Sequence, residues 1–170
     1  MSGSRSADRP IRQHVERSRE EVLALRARRK AEAEAIGVDE AFISNLVEQF
    51  YGKIQEDQML GPIFTARIED WPEHLARMKQ FWRSILHNSG EFSGNPMARH
   101  LEIPGLEKAH FVHWLELFYA TLRDLADHPA APGLVAKRAR MIADSLLTGI
   151  ETKRHGLSGA KAGQDLPHLV

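Results

Sequence analysis

The chain of 170 residues has no cysteine, which excludes disulfides, thiolate metal sites and cysteine nucleophiles at a stroke. It has no net charge either: 23 Lys and Arg balance 23 Asp and Glu. Without a global positive field, nucleic acid is not the expected partner, and the basic cluster of Arg26, Arg28, Arg29 and Lys30 is only local. No stretch approaches eighteen consecutive apolar residues, and the first residues, Met1-Ser2-Gly3-Ser4, carry no apolar run of signal-peptide length. No membrane association and a cytoplasmic location are therefore expected. Glycine-rich phosphate loops, the His-Glu-x-x-His pair and the serine elbow are missing, as are period-two strand patterns and internal repeats.

What is present is apolar residue in helical rhythm. Apolar residues form 42% of the chain and charged ones 27%, a balance that suits a folded domain rather than a disordered segment. Residues 1–9 are polar and expected to be loose, with Pro10 placed for the first turn of a helix. Ile11 to Ile36 is rich in Arg, Glu and Ala and has few apolar members, among them Val15, Val22, Leu23 and Leu25. Such a thin stripe predicts peripheral packing or a partner surface. Asp39 can cap a helix whose Phe42, Ile43, Leu46, Val47, Phe50, Tyr51 and Ile54 recur at three and four. Leu60-Gly61-Pro62-Ile63-Phe64 predicts an apolar structured turn, and Asp70-Trp71-Pro72-Glu73 predicts a helix start. After a glycine-broken loop, Asn95 and Pro96 open a helix that Pro104 and Gly105 must end, and it carries His100. Long helices are predicted over about Leu106 to Leu125 and Leu134 to Ile150, the latter with Met141 among its apolar positions. Residues 151–170 predict a frayed polar tail.

Four side chains invite chemistry. His100 sits near the end of a helix of one or two turns, between Met97 and Leu101. It reads either as a capping histidine favoured by the helix C-terminus or as an imidazole ligand to a large planar cofactor, and periodicity does not choose. His74, Met78 and Trp82 share one helix face. Tyr51 and Trp114 close similar stripes, and each needs a partner for its polar tip if buried, from protein or from a ligand. Glu107 and His110 make one Glu-x-x-His pair, whereas a four-helix carboxylate metal site needs two.

Taken in register, Phe50-Tyr51, Leu60-Gly61-Pro62-Ile63-Phe64, Trp71-Pro72-Glu73-His74 and Phe81-Trp82 resemble the truncated haemoglobins, and more particularly their third group. Gly94-Asn95-Pro96-Met97, His100-Leu101, Trp114-Leu115 and Phe118 continue the pattern. The glycine-pair signatures of the first two groups are absent. The resemblance implies an all-α, two-over-two globin sandwich around haem b, with a domain over residues 38–150, an extra N-terminal helix in an extension over 1–37, and a flexible tail over 151–170. It makes His100 the proximal iron ligand and places Tyr51, His74 and Trp114 on the distal side. Phe64, Arg77, Met78, Trp82, Met97 and Leu101 are the other cofactor-binding positions it implies. The implied function is binding or transport of O2, or binding of CO, NO or peroxide, at a pentacoordinate or weakly hexacoordinate iron, His74 being the gate or sixth ligand. Nitric-oxide detoxification and peroxidase-like activity are the redox extensions, each needing an electron donor that the sequence does not identify. The alternative is a haem-based sensor or interaction protein that uses the N-terminal helix as its partner surface. Subunit number stays open.

Overall fold

The computed structural model describes residues 9–170, with side chains described from residue 18 on. The expectation for residues 1–8, and the side chain of Val15, lie outside the described residues. Helix α1 spans Arg9–Ala35, α2 Glu40–Glu56, α3 Gly61–Thr65, α4 Trp71–Leu86, α5 Pro96–Leu101, α6 Lys108–Leu125 and α7 Ala131–His155, followed by a single 3-10 turn at Gly156–Gly159. Among the described residues there is no strand, and no helix is long and apolar enough to cross a membrane.

The helix starts follow from local chemistry. Asp39 accepts from the Phe42 N–H at 2.8 Å, Asp70 from the Glu73 N–H at 3.1 Å and Asn95 from the Ala98 N–H at 3.0 Å, each satisfying an amide that the first turn leaves without a partner. Pro72 and Pro96 occupy first-turn positions where no N–H is needed. Leu60 to Phe64, expected as a turn, winds into the one-turn helix α3 because Asp57 takes the Met59 and Leu60 amides at 3.1 and 2.8 Å. Gly61 lets that turn approach the end of α2, since a Cβ there would sit 3.0 Å from the Ile54 carbonyl oxygen.

Two helix pairs make the sandwich. α2 packs on α4 and α6, and α6 packs on α7. Between them Leu46, Phe50, Leu115, Phe118, Leu122 and Leu147 are fully buried, each burial stabilising by about 1.5–3 kcal/mol. Phe118 is the hub: Phe50 meets it edge-on at 5.1 Å, Trp82 stacks on it at 5.1 Å and Trp114 at 5.4 Å. α1 lies outside this sandwich. Of its described side chains only Ala33 is buried, and the chain is tied in just beyond, where the Val38 carbonyl accepts from buried His87 Nε2 at 2.6 Å.

Two expectations are corrected here. Met141 is 45% exposed because it falls on the outer face of α7, whose inner face is Val135, Ala139, Ala143, Leu147 and Ile150. Residues 151–170 are not a frayed tail: α7 runs on to His155, and the segment beyond folds back as a strap with Gly159, Gly163 and Leu166 buried. Tyr119 donates to the Pro167 carbonyl at 2.6 Å, and Thr148 accepts from the Gly163 N–H at 3.2 Å. The glycines there are close-approach residues rather than breakers, because a Cβ on either would collide with the backbone of α7.

Candidate functional site

Between α2, α4 and the α5–α6 corner lies a cavity of about 720 Å³, within the range that holds a cofactor-sized ligand. Its wall is mainly apolar. Tyr51, Phe64, His74, Met78 and Trp114 line it together with His100, Ile103, Leu106, Ile142 and Leu146.

On α5, His100 Nδ1 lies 2.6 Å from the Pro96 carbonyl oxygen. A carbonyl can only accept, so Nδ1 carries the hydrogen and Nε2 keeps its lone pair. Burial holds the ring's pKa below the usual histidine value, against the opposing effect of the Pro96 bond. The result is a neutral, oriented imidazole on the cavity wall, which is the form a metal ligand requires. The lowered pKa disfavours the part of the capping reading that depends on a charged ring.

To the same cavity α4 supplies His74. Its ring stands edge-on to Tyr51 at 5.1 Å and to Trp71 at 5.8 Å, and its Nε2 is buried with no hydrogen-bond partner. Burial lowers its pKa, and the charges of Arg77 and Arg99 lower it further. An unpaired buried polar atom costs about 1–3 kcal/mol, so an atom left in that state on a cavity wall points to a ligand. Tyr51, on α2, is 6% exposed, and burial raises its pKa, keeping the phenol protonated as a donor. Trp114 reaches the same wall from α6, fixed edge-on to Phe50 at 5.3 Å.

The other positions separate. Phe64, Arg77 and Met78 line the cavity. Trp82 also touches it but is 3% exposed and stacked on Phe118, so it is chiefly a core residue. Met97 and Leu101 do not line it. Leu101 packs on the core, and Met97 fills the space over Gly149 of α7, where a Cβ would strike its Sδ and Cε. Glu107 and His110 are spent on the start of α6, where the Glu107 N–H donates to His110 Nδ1 at 3.0 Å; among the described residues no cluster of His, Asp and Glu could hold a bare metal ion.

Sequence reasoning missed Arg67 and Arg99, which line the cavity beside Arg77, and the pair Ile142 and Leu146 on α7. The α7 pair was legible as an i, i+4 stripe; the arginines carry no sequence signal beyond their adjacency to a cavity element.

Comparison with known proteins follows the same outline. The family model described as bacterial-like globin matches residues 33–146. A group 3 truncated haemoglobin of Campylobacter jejuni is 34% identical over 110 residues, covering 62% of this chain and 86% of that protein. The crystal structure of a group III truncated haemoglobin from Campylobacter jejuni superimposes with a TM-score of 0.60 at 34% identity, covering 64% of this chain and 87% of that one. Most of α1 and the strap lie outside the family match.

Proposed function

Because the chain belongs to the bacterial-like globin family, and within it to the group III truncated haemoglobins, whose haem-based ligand binding it shares, we propose that its cavity holds haem b and takes O2, CO or NO as ligands. The observation that carries this reading is the pair of histidines lining one mainly apolar cavity: His100, with Nδ1 fixed to Pro96, and His74, with an unpartnered buried Nε2. The residues fit the group. The neutral imidazole of His100 would hold the iron, Phe64 and Met78 would give apolar contact to the macrocycle, and Arg67, Arg77 and Arg99 would supply cations to its carboxylates.

Haem, when bound, supplies the iron at which a diatomic ligand coordinates and electrons are exchanged. The protein's part is positional and electrostatic. His100 is held in one tautomer and one orientation by Pro96. Tyr51 and Trp114 present O–H and N–H donors to a ligand in a low-dielectric space, where such bonds are stronger than in water. His74 adds a third polar group that stays uncharged. Three polar groups exceed what simple transport of a neutral ligand needs, and they favour stabilising charge as an O–O bond is broken or a ligand reduced. Nitric-oxide dioxygenation and peroxide activation are the reactions this suits, with electrons from a separate reductase.

Absorption spectra of the ferric, ferrous and CO-bound states, for the parent and for His100→Ala, test the reading. The parent should show a Soret band. His100→Ala should lose haem retention by more than the roughly 10–100-fold that loss of a supporting hydrogen bond costs, and added imidazole should restore the parent spectrum. A parent without a Soret band after haem addition, or a His100→Ala protein with unchanged haem uptake and coordination, would overturn it.

A further inference from the structure

Outside the cavity the molecule has a second large recess, about 710 Å³, between the C-terminal half of α1, the end of α4 and the start of α7. Its apolar floor is Ile85, Leu86, Ala130 and Leu134, and its rim carries Arg28, Arg29 and Arg138 against one carboxylate, Glu32. Among the described residues no ion pair uses any of these three arginines. The recess is preformed because α1 is anchored at that end: Ala33 and Val38 are buried, and the Arg26 guanidinium lies against Gly90, 2.8 Å from where a Cβ would be.

We infer that the recess receives α1 of a second copy of this chain, the two α1 helices crossing antiparallel about Ala24 and Leu25 in a two-fold dimer. Self-complementarity singles out this occupant. Ser18, Glu21, Leu25, Arg28 and Glu32 recur at three and four along α1, so they share one face, and Leu25, Arg28 and Glu32 of that face form the recess wall. Glu21 and Arg28 are equidistant from the centre between residues 24 and 25. An antiparallel copy therefore sets each Glu21 opposite the other's Arg28, twice per dimer, with Leu25 opposite Ala24 between them. The sequence continues the match, with arginine at 17 and glutamate at 32.

The geometry of α1 is consistent with this role. It has 27 residues, about 40 Å at 1.5 Å per residue, yet residues 18–24 are all exposed. A helix so lightly packed on its own body is marginal in water and gains most from an external partner. A recess of this volume takes roughly two turns of a helix about 10 Å across. An interface made of the same patch on both copies closes at two subunits.

Sedimentation velocity on the full-length chain over a range of concentrations tests the proposal with Glu21→Arg, Arg28→Glu and the double variant. The parent should sediment as a dimer. Each single reversal creates two like-charge contacts and should weaken the dimer at least about tenfold, while the double variant, which restores opposite charges, should return to within about threefold of the parent. Unchanged helix content by circular dichroism shows that these exposed positions leave the fold intact. A parent that is monomeric throughout, singles that dimerise like the parent, or a double variant no better than the singles would each overturn it.

Discussion

Tyr51 and Tyr119 are both buried, at 6% and 3% exposure, and burial raises the pKa of both, yet they stand in regions built on opposite terms. Around Tyr119, where α6, α7 and the strap meet, the polar tips find partners: its hydroxyl on Pro167, Thr148 on Asp144 and Gly163, Arg154 on the Leu106 carbonyl. Around Tyr51, on the α2, α4 and α5 side, Tyr51, His74 and Trp114 line a cavity, and His74 Nε2 is left without a partner. One region pairs its polar groups within the fold; the other leaves a buried ring nitrogen unpaired on a cavity wall. The difference teaches where to look for function in a helical sandwich whose core is otherwise uniform.

The largest effect should come from closing the space that the paired region relies on. In Gly163→Ala the new Cβ meets the backbone of Asp144, so the strap must lift from α7 and take buried Leu166 with it. A loss of about 1–3 kcal/mol is expected, seen as a Tm lower by roughly 3–10 °C, with the Soret band of the folded protein unmoved. A displaced Soret band with an unaltered Tm would show that the two regions are not independent.

A smaller effect separates the two tyrosines directly. Tyr119→Phe leaves the Pro167 carbonyl without its donor and should cost about 1 kcal/mol in chemical denaturation. Tyr51→Phe should leave the cofactor-free protein within about 0.5 kcal/mol of the parent, while raising the O2 dissociation rate in stopped flow by roughly tenfold, the worth of one hydrogen bond. Equal stability losses in the two variants would break the comparison.

The contrast also explains which parts of the molecule were legible in the sequence. Helix starts at Asp39, Asp70 and Asn95 were readable because caps act over three residues. The core face of α2 was readable because a stripe at three and four has one burial solution. The strap was not, since the same glycines that break helices permit close packing, and only the distant partner on α7 decides between the two. His100 was ambiguous for a similar reason: its significance lies in which ring nitrogen Pro96 occupies, a matter of rotamer rather than spacing.

The smallest expected effect lies at a hinge between the regions, where His113 of α6 bonds Asp57 at the α2–α3 corner, Nε2 to Oδ1 at 2.6 Å. The Asp57 hydrogen bond raises the pKa of His113, with burial opposing and the charges of Asp57 and Glu116 assisting. For Asp57 burial acts upward, but the bonds from His113 and from the Leu60 and Met59 amides, with the His113 charge, bring the pKa below the usual carboxylate value. The signs set a window. A raised histidine contributes stability that is complete below its unfolded pKa, about 6.5, and is lost as pH rises through the higher folded value. A depressed aspartate contributes stability that is complete above about 3.9 and is lost as pH falls through the lower folded value. The pair therefore contributes most between roughly pH 4 and 6.5. Denaturant titrations of the parent and His113→Gln across pH 4 to 9 should diverge in that window and converge above it. Because Asp57 also caps the turn that presents Phe64 to the cavity, ligand dissociation should stay constant across the window if the paired and unpaired regions are energetically separate. A dissociation rate that tracks His113 titration would instead couple them through α3.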